Sequence, residues 1–356
     1  MTKRTEHFAL VDPQKIESAV LRMFEINMGL RAGECLLVLS DVAAPEHWRT
    51  WRLPLLETVA RRAALGRAVA DIAAQRFPDC EVSFVIFPST GQSGTEPPAD
   101  VADAMLAHDV VVAITSFSLT HTDARQAACQ AGARIASMPR FLPEMFYAGG
   151  PMDVDYEEVL EVTTRLADML TPVEMVRATG PDGTEIEFSI EGRPGNVDAG
   201  IYREPGAWGN LPGGEAYCVP LEGTAEGIIV VPGGWHMELD QRLELEFQAG
   251  LLVDIRGGGR VGEELRHILR PGADEEPFRS RRNLGELGIG TNPNAQRIDI
   301  TLEAEKIKGT VHMACGDNAH MGGQVSSDYH QDFLVPQASV WLDGKPLMEN
   351  GRLLVE

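Results

Sequence analysis

Five side chains toward the C-terminal end of the sequence are of types that bind divalent metal ions. They are Glu215 in NLPGGE, Glu286 in NLGELGIGTNP, His312 in GTVHMACGDN, and His330 with Asp332 in YHQD. Three carboxylates and two imidazoles are enough ligands for two divalent ions that share a bridging carboxylate, and such a pair activates water for hydrolysis. Glycine, asparagine or proline flanks each ligand, so the pattern predicts four loops converging on one site. His330 and Asp332 are two residues apart, which places both on one face of an extended strand. His312 lies eighteen residues upstream of His330, with Gly322 and Gly323 between them for the chain to double back. Taken singly, each glutamate reads as a solvated surface charge and the H-x-D pair as incidental. The combination carries the signal.

Other motifs point away from other chemistries. GGGRVGE, from Gly257, satisfies G-x-G-x-x-G. It falls in a β-rich region instead of an alternating β/α one, so it reads as a tight strand-to-helix turn and not as a nucleotide site. There is no G-x-S-x-G elbow for serine catalysis. His121, in SLTHTDAR, stands at the end of a strand, where it could touch a substrate, and capping by Thr120 or Thr122 explains that segment equally well. His236 and His267 have no ligand-like neighbours in the sequence.

Composition bounds the rest. The chain has 356 residues, of which 44% are hydrophobic and 24% charged, and a net charge of -22. Such an acidic surface disfavours nucleic-acid and anionic-membrane partners. Five scattered cysteines without a C-x-x-C pair fit a reducing cytoplasm, and Cys315 reads as a small buried hydrophobe. The N-terminal stretch lacks an apolar leader core and no run of about 18 apolar residues occurs, so the expectation is a cytoplasmic protein.

These residues need a scaffold of two parts. Up to about residue 171, strand and helix patterns alternate, which predicts an open α/β layer structure on a parallel sheet. Asp12-Pro13 marks a helix start, and CLLVLS, VSFVIF, DVVVAIT and ARIASM read as its strands. From 172 to 356 the sequence predicts a β-rich domain of the α+β kind. It has turns at Asp182-Gly183, Asp343-Gly344 and Asn350-Gly351, and one clear helix over Val261–Leu269.

The four ligand segments, in order and spacing, resemble the metal-binding segments of the aminopeptidase T type of metallo-aminopeptidase. GLRAGECLLVLSD and THTDARQAACQAGARIASMP resemble the α/β domain of the same family. The resemblance implies that Glu215, Glu286, His312, His330 and Asp332 are metal ligands, with Glu286 bridging. It also implies two divalent ions (zinc, cobalt or manganese), a homodimer, and a short-peptide or other small-molecule substrate. The expected activity is that of a metal-dependent hydrolase, an aminopeptidase or related amidohydrolase, with Glu286 and Glu215 in catalytic roles. Glu215 could serve as ligand or proton shuttle. The larger members carry a tyrosine where this chain has Ala319, and Tyr329 or His320 could replace it. A related branch, ring-cleaving dioxygenases of dihydroxypyridines, resembles the same fold, keeps the H-x-D pair and uses mononuclear Fe(II), with a histidine where this chain has Glu286. On paper His312, His330 and Asp332 could form its facial triad. A third reading is a binding protein that kept the scaffold.

Overall fold

The computed structural model describes residues 10–354; the N-terminal segment inspected for a leader lies mostly outside them. The chain folds into two units, one formed by residues up to Tyr156 with Gly200–Pro212, the other by Glu157–Ala199 with Gly213–Glu356.

In the first unit, a helix over Pro13–Arg22 begins at Asp12, whose side chain accepts from the Gln14 backbone N–H, as the Asp-Pro signal predicts. Strands β1 (Cys35–Val42), β2 (Glu81–Pro88), β3 (Val110–Ile114) and β4 (Arg134–Ser137) alternate with helices over Leu53–Arg76, Ala99–Leu106 and Asp123–Gln130. Leu37 and Leu39 of β1 face one core with Val111, Ala113 and Ile135, while Leu36 and Val38 are equally buried on the other side. A strand covered on both faces has no polar side to show, which is why these segments read as continuous apolar runs.

The second unit contributes β5 (Met175–Thr179), β6 (Glu185–Ser189) and β7 (Asn196–Asp198). The chain then returns to the first unit for β8 (Trp208–Asn210), which pairs parallel with β4 and completes a five-stranded parallel sheet of order β2-β1-β3-β4-β8. Asn27 anchors this excursion, donating to the Gly200 carbonyl and accepting from the Tyr202 N–H. The remaining strands are β9 (Glu215–Cys218), β10 (Glu226–Val231), β11 (Leu243–Gln248), β12 (Leu251–Gly257), β13 (Leu284–Gly290), β14 (Val311–Gly316), β15 (His330–Val335), β16 (Ser339–Leu342), β17 (Lys345–Glu349) and β18 (Arg352–Leu353). They build two antiparallel sheets, β12-β11-β10-β6-β5-β16-β17-β18 and β15-β14-β13-β9-β7. A single apolar core contains residues of both, among them Phe188, Ile229 and Phe247 from the first and Leu287, Met313 and Phe333 from the second. The α/β and β-rich architecture is thus as the sequence predicts. The GGG run is a left-handed turn, with φ of 69°, 74° and 52° at Gly257, Gly258 and Gly259, leading from β12 into the helix Gly259–Leu269. No described helix is long and apolar enough to cross a membrane.

One structural expectation needs correction. The segments holding Glu286 and His312 are not loops. They are the central strands β13 and β14, and Glu215, His330 and Asp332 also lie on strands. Glycine in these segments makes room on a sheet face instead of turning the chain.

Candidate metal centre

All five predicted ligands project from one face of the sheet β15-β14-β13-β9-β7. Alternation explains four of them. Val311, Met313 and Cys315 enter the core, so His312 and Ala314 face away; Phe333 and Val335 do the same for His330 and Asp332, and Ala216 and Cys218 for Glu215. Glu286 needs one device more. Leu284 pairs with Cys315 on the core side, and residue 286, two positions on, would follow it there. The register slips between Leu284 and Glu286, so that Glu286 pairs with Ala314. This bulge at Gly285 switches the strand's parity and turns Glu286 to the ligand face.

Small residues then open the space. Ala314 sits between Asp332 and Glu286, and Gly316 faces His330 across the ladder. Gly288 faces His312, and a Cβ there would overlap the imidazole ring.

Two triplets of donor atoms result, each with its members within 4.8 Å of one another: Glu215, Glu286 and His312, and Glu286, His330 and Asp332. Glu286 belongs to both. Its Oε1 is 3.6 Å from His312 Nε2 and its Oε2 is 3.1 Å from His330 Nε2, while His330 Nε2 is 3.6 Å from Asp332 Oδ1. His312, His330 and Asp332, the facial triad drawn on paper, do not form a triplet of this kind. The first triplet is closed, with Glu215 and Glu286 side chains 9% and 7% exposed; the second opens outward, with His330 and Asp332 at 19% and 17%. His330 Nδ1 lies 2.9 Å from the Asp317 carbonyl, which aims Nε2 at the two carboxylates. In the first triplet Glu215 Oε2 and His312 Nδ1 are buried without a hydrogen-bond partner.

The electrostatics are those of a cation site. Burial opposes charge on Glu286, but His312 and His330 beside it hold its carboxyl well below the usual range. Burial likewise opposes charge on the imidazoles, yet Glu286 and Glu215 push His312 up to about 10, and Asp332 and Glu286 raise His330 strongly. A metal must displace such protons, because only neutral imidazole coordinates. Binding of Zn(II) to metal-stripped protein is therefore expected to release protons and to strengthen about tenfold per pH unit for each proton displaced, between pH 6 and 9. Calorimetry in buffers of different ionisation enthalpy counts them, and pH-independent uptake contradicts this assignment. In the metal-free protein the His312 shift adds stability that is complete below 6.5 and fades as pH climbs through about 10.

Four residues escaped the sequence reading. Tyr217 shares the ligand face, at a position that period-two counting from Glu215 reaches. Asp198 of β7 pairs directly with Glu215. Lys306, just before β14, pairs with the same carboxylate and Glu305 pairs with Lys306; no spacing rule points to them. The candidates for the missing tyrosine separate. Tyr329 packs against the apolar core and donates to Gln331 Oε1 at 2.5 Å. His320 lies nearer the ligands, its Nδ1 on Asp317 Oδ2 and its ring centroid 5.7 Å from that of His330. His121 is exposed, and Thr122 caps the helix that follows it. His236 Nε2 lies 2.5 Å from Gln331 Nε2, on a residue that alternates away from His330 and Asp332.

Residues 30–355 match the family of 2,5-dihydroxypyridine 5,6-dioxygenase. The chain belongs to this family. It is 25% identical, over 70% of its own length and 71% of the relative's, to the 2,5-dihydroxypyridine 5,6-dioxygenase of Pseudomonas putida KT2440. Among solved structures, that of a dihydroxypyridine dioxygenase from the same organism is similar at TM-score 0.73, with 19% identity and 97% and 99% of the two chains covered. Wild-type AmpT from Thermus thermophilus follows at TM-score 0.61, with 15% identity and 96% and 99% covered.

The family membership corrects the expected activity. The metallo-aminopeptidase resemblance is one of fold, shared by AmpT and the dioxygenases, and the readings hydrolase, aminopeptidase and metalloprotease are overturned by the dioxygenase match. One scaffold carries both chemistries, so residue types on a common sheet face did not separate them. The cluster of carboxylates and imidazoles remains suited to a metal ion.

Proposed function

We propose that the protein is an Fe(II)-dependent ring-cleaving dioxygenase acting on a dihydroxylated pyridine. The observation that carries this reading is the family match over residues 30–355. The donor chemistry fits. Glu286, His330 and Asp332 would hold the ion, one imidazole and two carboxylates where a facial triad has two imidazoles and one carboxylate, with His330 and Asp332 partly exposed. When bound, divalent iron supplies the site's capacity to react with O2 and to polarise a ring hydroxyl.

The rest falls to the chain. Two carboxylates cancel the charge of a dication, and the Asp317 carbonyl fixes the imidazole that completes the set. Glu286 stands where the resemblance to the dioxygenase branch implies a histidine, so this centre is richer in oxygen ligands. The buried side formed by Glu215 and His312 excludes solvent behind Glu286, while His330 and Asp332 border the approach. A planar substrate with vicinal ring atoms and O2 would therefore meet the site from the His330–Asp332 side.

The test is direct. Protein reconstituted anaerobically with Fe(II) is mixed with 2,5-dihydroxypyridine and 18O2. Uptake of one O2 per ring opened, with both labelled atoms in the product, is the expected result. Folded, iron-loaded protein that consumes no oxygen above the substrate's own autoxidation refutes the assignment.

A further inference from the structure

Lys306 is a full lysine side chain, 1% exposed, set in the floor of the metal centre. Its ammonium forms an ion pair with Glu215 Oε1 and lies 3.2 Å from Glu305 Oε1 and 3.5 Å from Asp198 Oδ2. The backbone around it is fixed, since its carbonyl accepts from Asn292 and its N–H donates to Glu303. A buried lysine is tolerated only with compensating charge, and removing it strands the anions it serves. Here those anions are a directly opposed cross-strand pair, Asp198 and Glu215, plus Glu305. Like charges placed opposite one another repel unless a cation joins them.

We infer that Lys306 is a built-in cation that takes the place of a second metal. Glu286 belongs to two donor triplets, so the face is laid out for two ions. One triplet contains Glu215, and Glu215 is already paired with an ammonium that also serves Asp198 and Glu305. The other holds its carboxylates on an imidazole, with His330 Nε2 3.1 Å from Glu286 Oε2 and 3.6 Å from Asp332 Oδ1. The protein accordingly takes one divalent ion, at the open triplet. Lys306 is a positioning residue in this scheme, holding Glu215 beside His312 and away from metal. The inference rests on the proposed metal centre, and it goes further by naming the residue that holds the ion count at one.

Metal stoichiometry distinguishes the two. Wild-type protein, Lys306→Met and Lys306→Arg are stripped with chelator, equilibrated with excess Zn(II), freed of unbound ion and analysed for metal per folded chain. The expected values are one ion for wild type, one for Lys306→Arg, and two for Lys306→Met, in which the Glu215 carboxylate, freed of the ammonium, faces Glu286 and the Nε2 of His312 with no cation among them. A merely structural lysine does not raise the count when removed. One ion in folded Lys306→Met, or two in wild type, overturns the inference and leaves the metal centre standing; no ion in wild type overturns both. Should Lys306→Met fail to fold, Glu215→Gln decides. With Lys306 in place the folded variant is expected to bind one ion still, and loss of that ion from folded protein means that Glu215 is a ligand and the inference is wrong.

Discussion

Glu286→Gln is expected to leave the fold intact and to abolish metal binding and, with it, the oxygen uptake that the proposed function requires. Glu286 is the one residue common to both donor triplets, so no rearrangement within the cluster replaces it. Glutamine keeps the volume on the ligand face and leaves Leu287 and Ile289 in the core, which is why the strand should survive. The chemistry does not survive. An amide is a neutral and poor ligand for a divalent ion, and His312 and His330 lose the anion that faces both. Loss of residues that merely orient ligands costs about 10–100-fold in metal affinity, and a direct anionic ligand should exceed about 100-fold. Circular dichroism alongside metal analysis and oxygen uptake checks the three parts together. A variant that retains one ion per chain and turns over normally removes Glu286 from the centre.

Gly288→Ala should damage the protein more than its size suggests. The backbone at 288 is ordinary extended strand, so alanine is allowed there by conformation. The obstacle is the facing residue. A methyl at 288 overlaps the His312 ring, which is itself buried between Gly288 and Leu334. Inserting a methyl into so tight a space costs roughly 1–3 kcal/mol, which lowers the melting temperature by roughly 2–12 °C in a domain of this size. His312 must also move away from Glu286. A thermal melt and a metal titration are the measurements, and unchanged stability would mean that the imidazole is not confined by the strand opposite.

Both variants show what was and was not legible in the sequence. The parallel sheet was legible, because strands such as β1 and β3 are buried on both faces and must be apolar throughout. The helix start at Asp12 was legible from local capping chemistry, whereas the cap before Asp123 was narrowed only to Thr120 or Thr122 and proves to be Thr122. His330 and Asp332 were legible as a pair because a two-residue spacing fixes a common face in any strand. The glycines around Glu286 and His312 misled. A glycine in sequence looks the same whether it turns the chain or clears space for a ring on the neighbouring strand, and only the pairing partner tells the two apart.

The sequence by itself determined the fold class, an α/β part and a β-rich part, and the inventory of ligand types, since both follow from short-range periodicity and side-chain chemistry. The tertiary structure alone decided how those ligands divide. A bulge at Gly285 sets which face Glu286 takes, and strand pairing places Asp198 against Glu215. A lysine far from both in the chain arrives to neutralise them. Each of these depends on which distant segments pair: alternation fixes the face a residue takes within its own strand, but the neighbour it meets across the sheet is set only when the strands assemble.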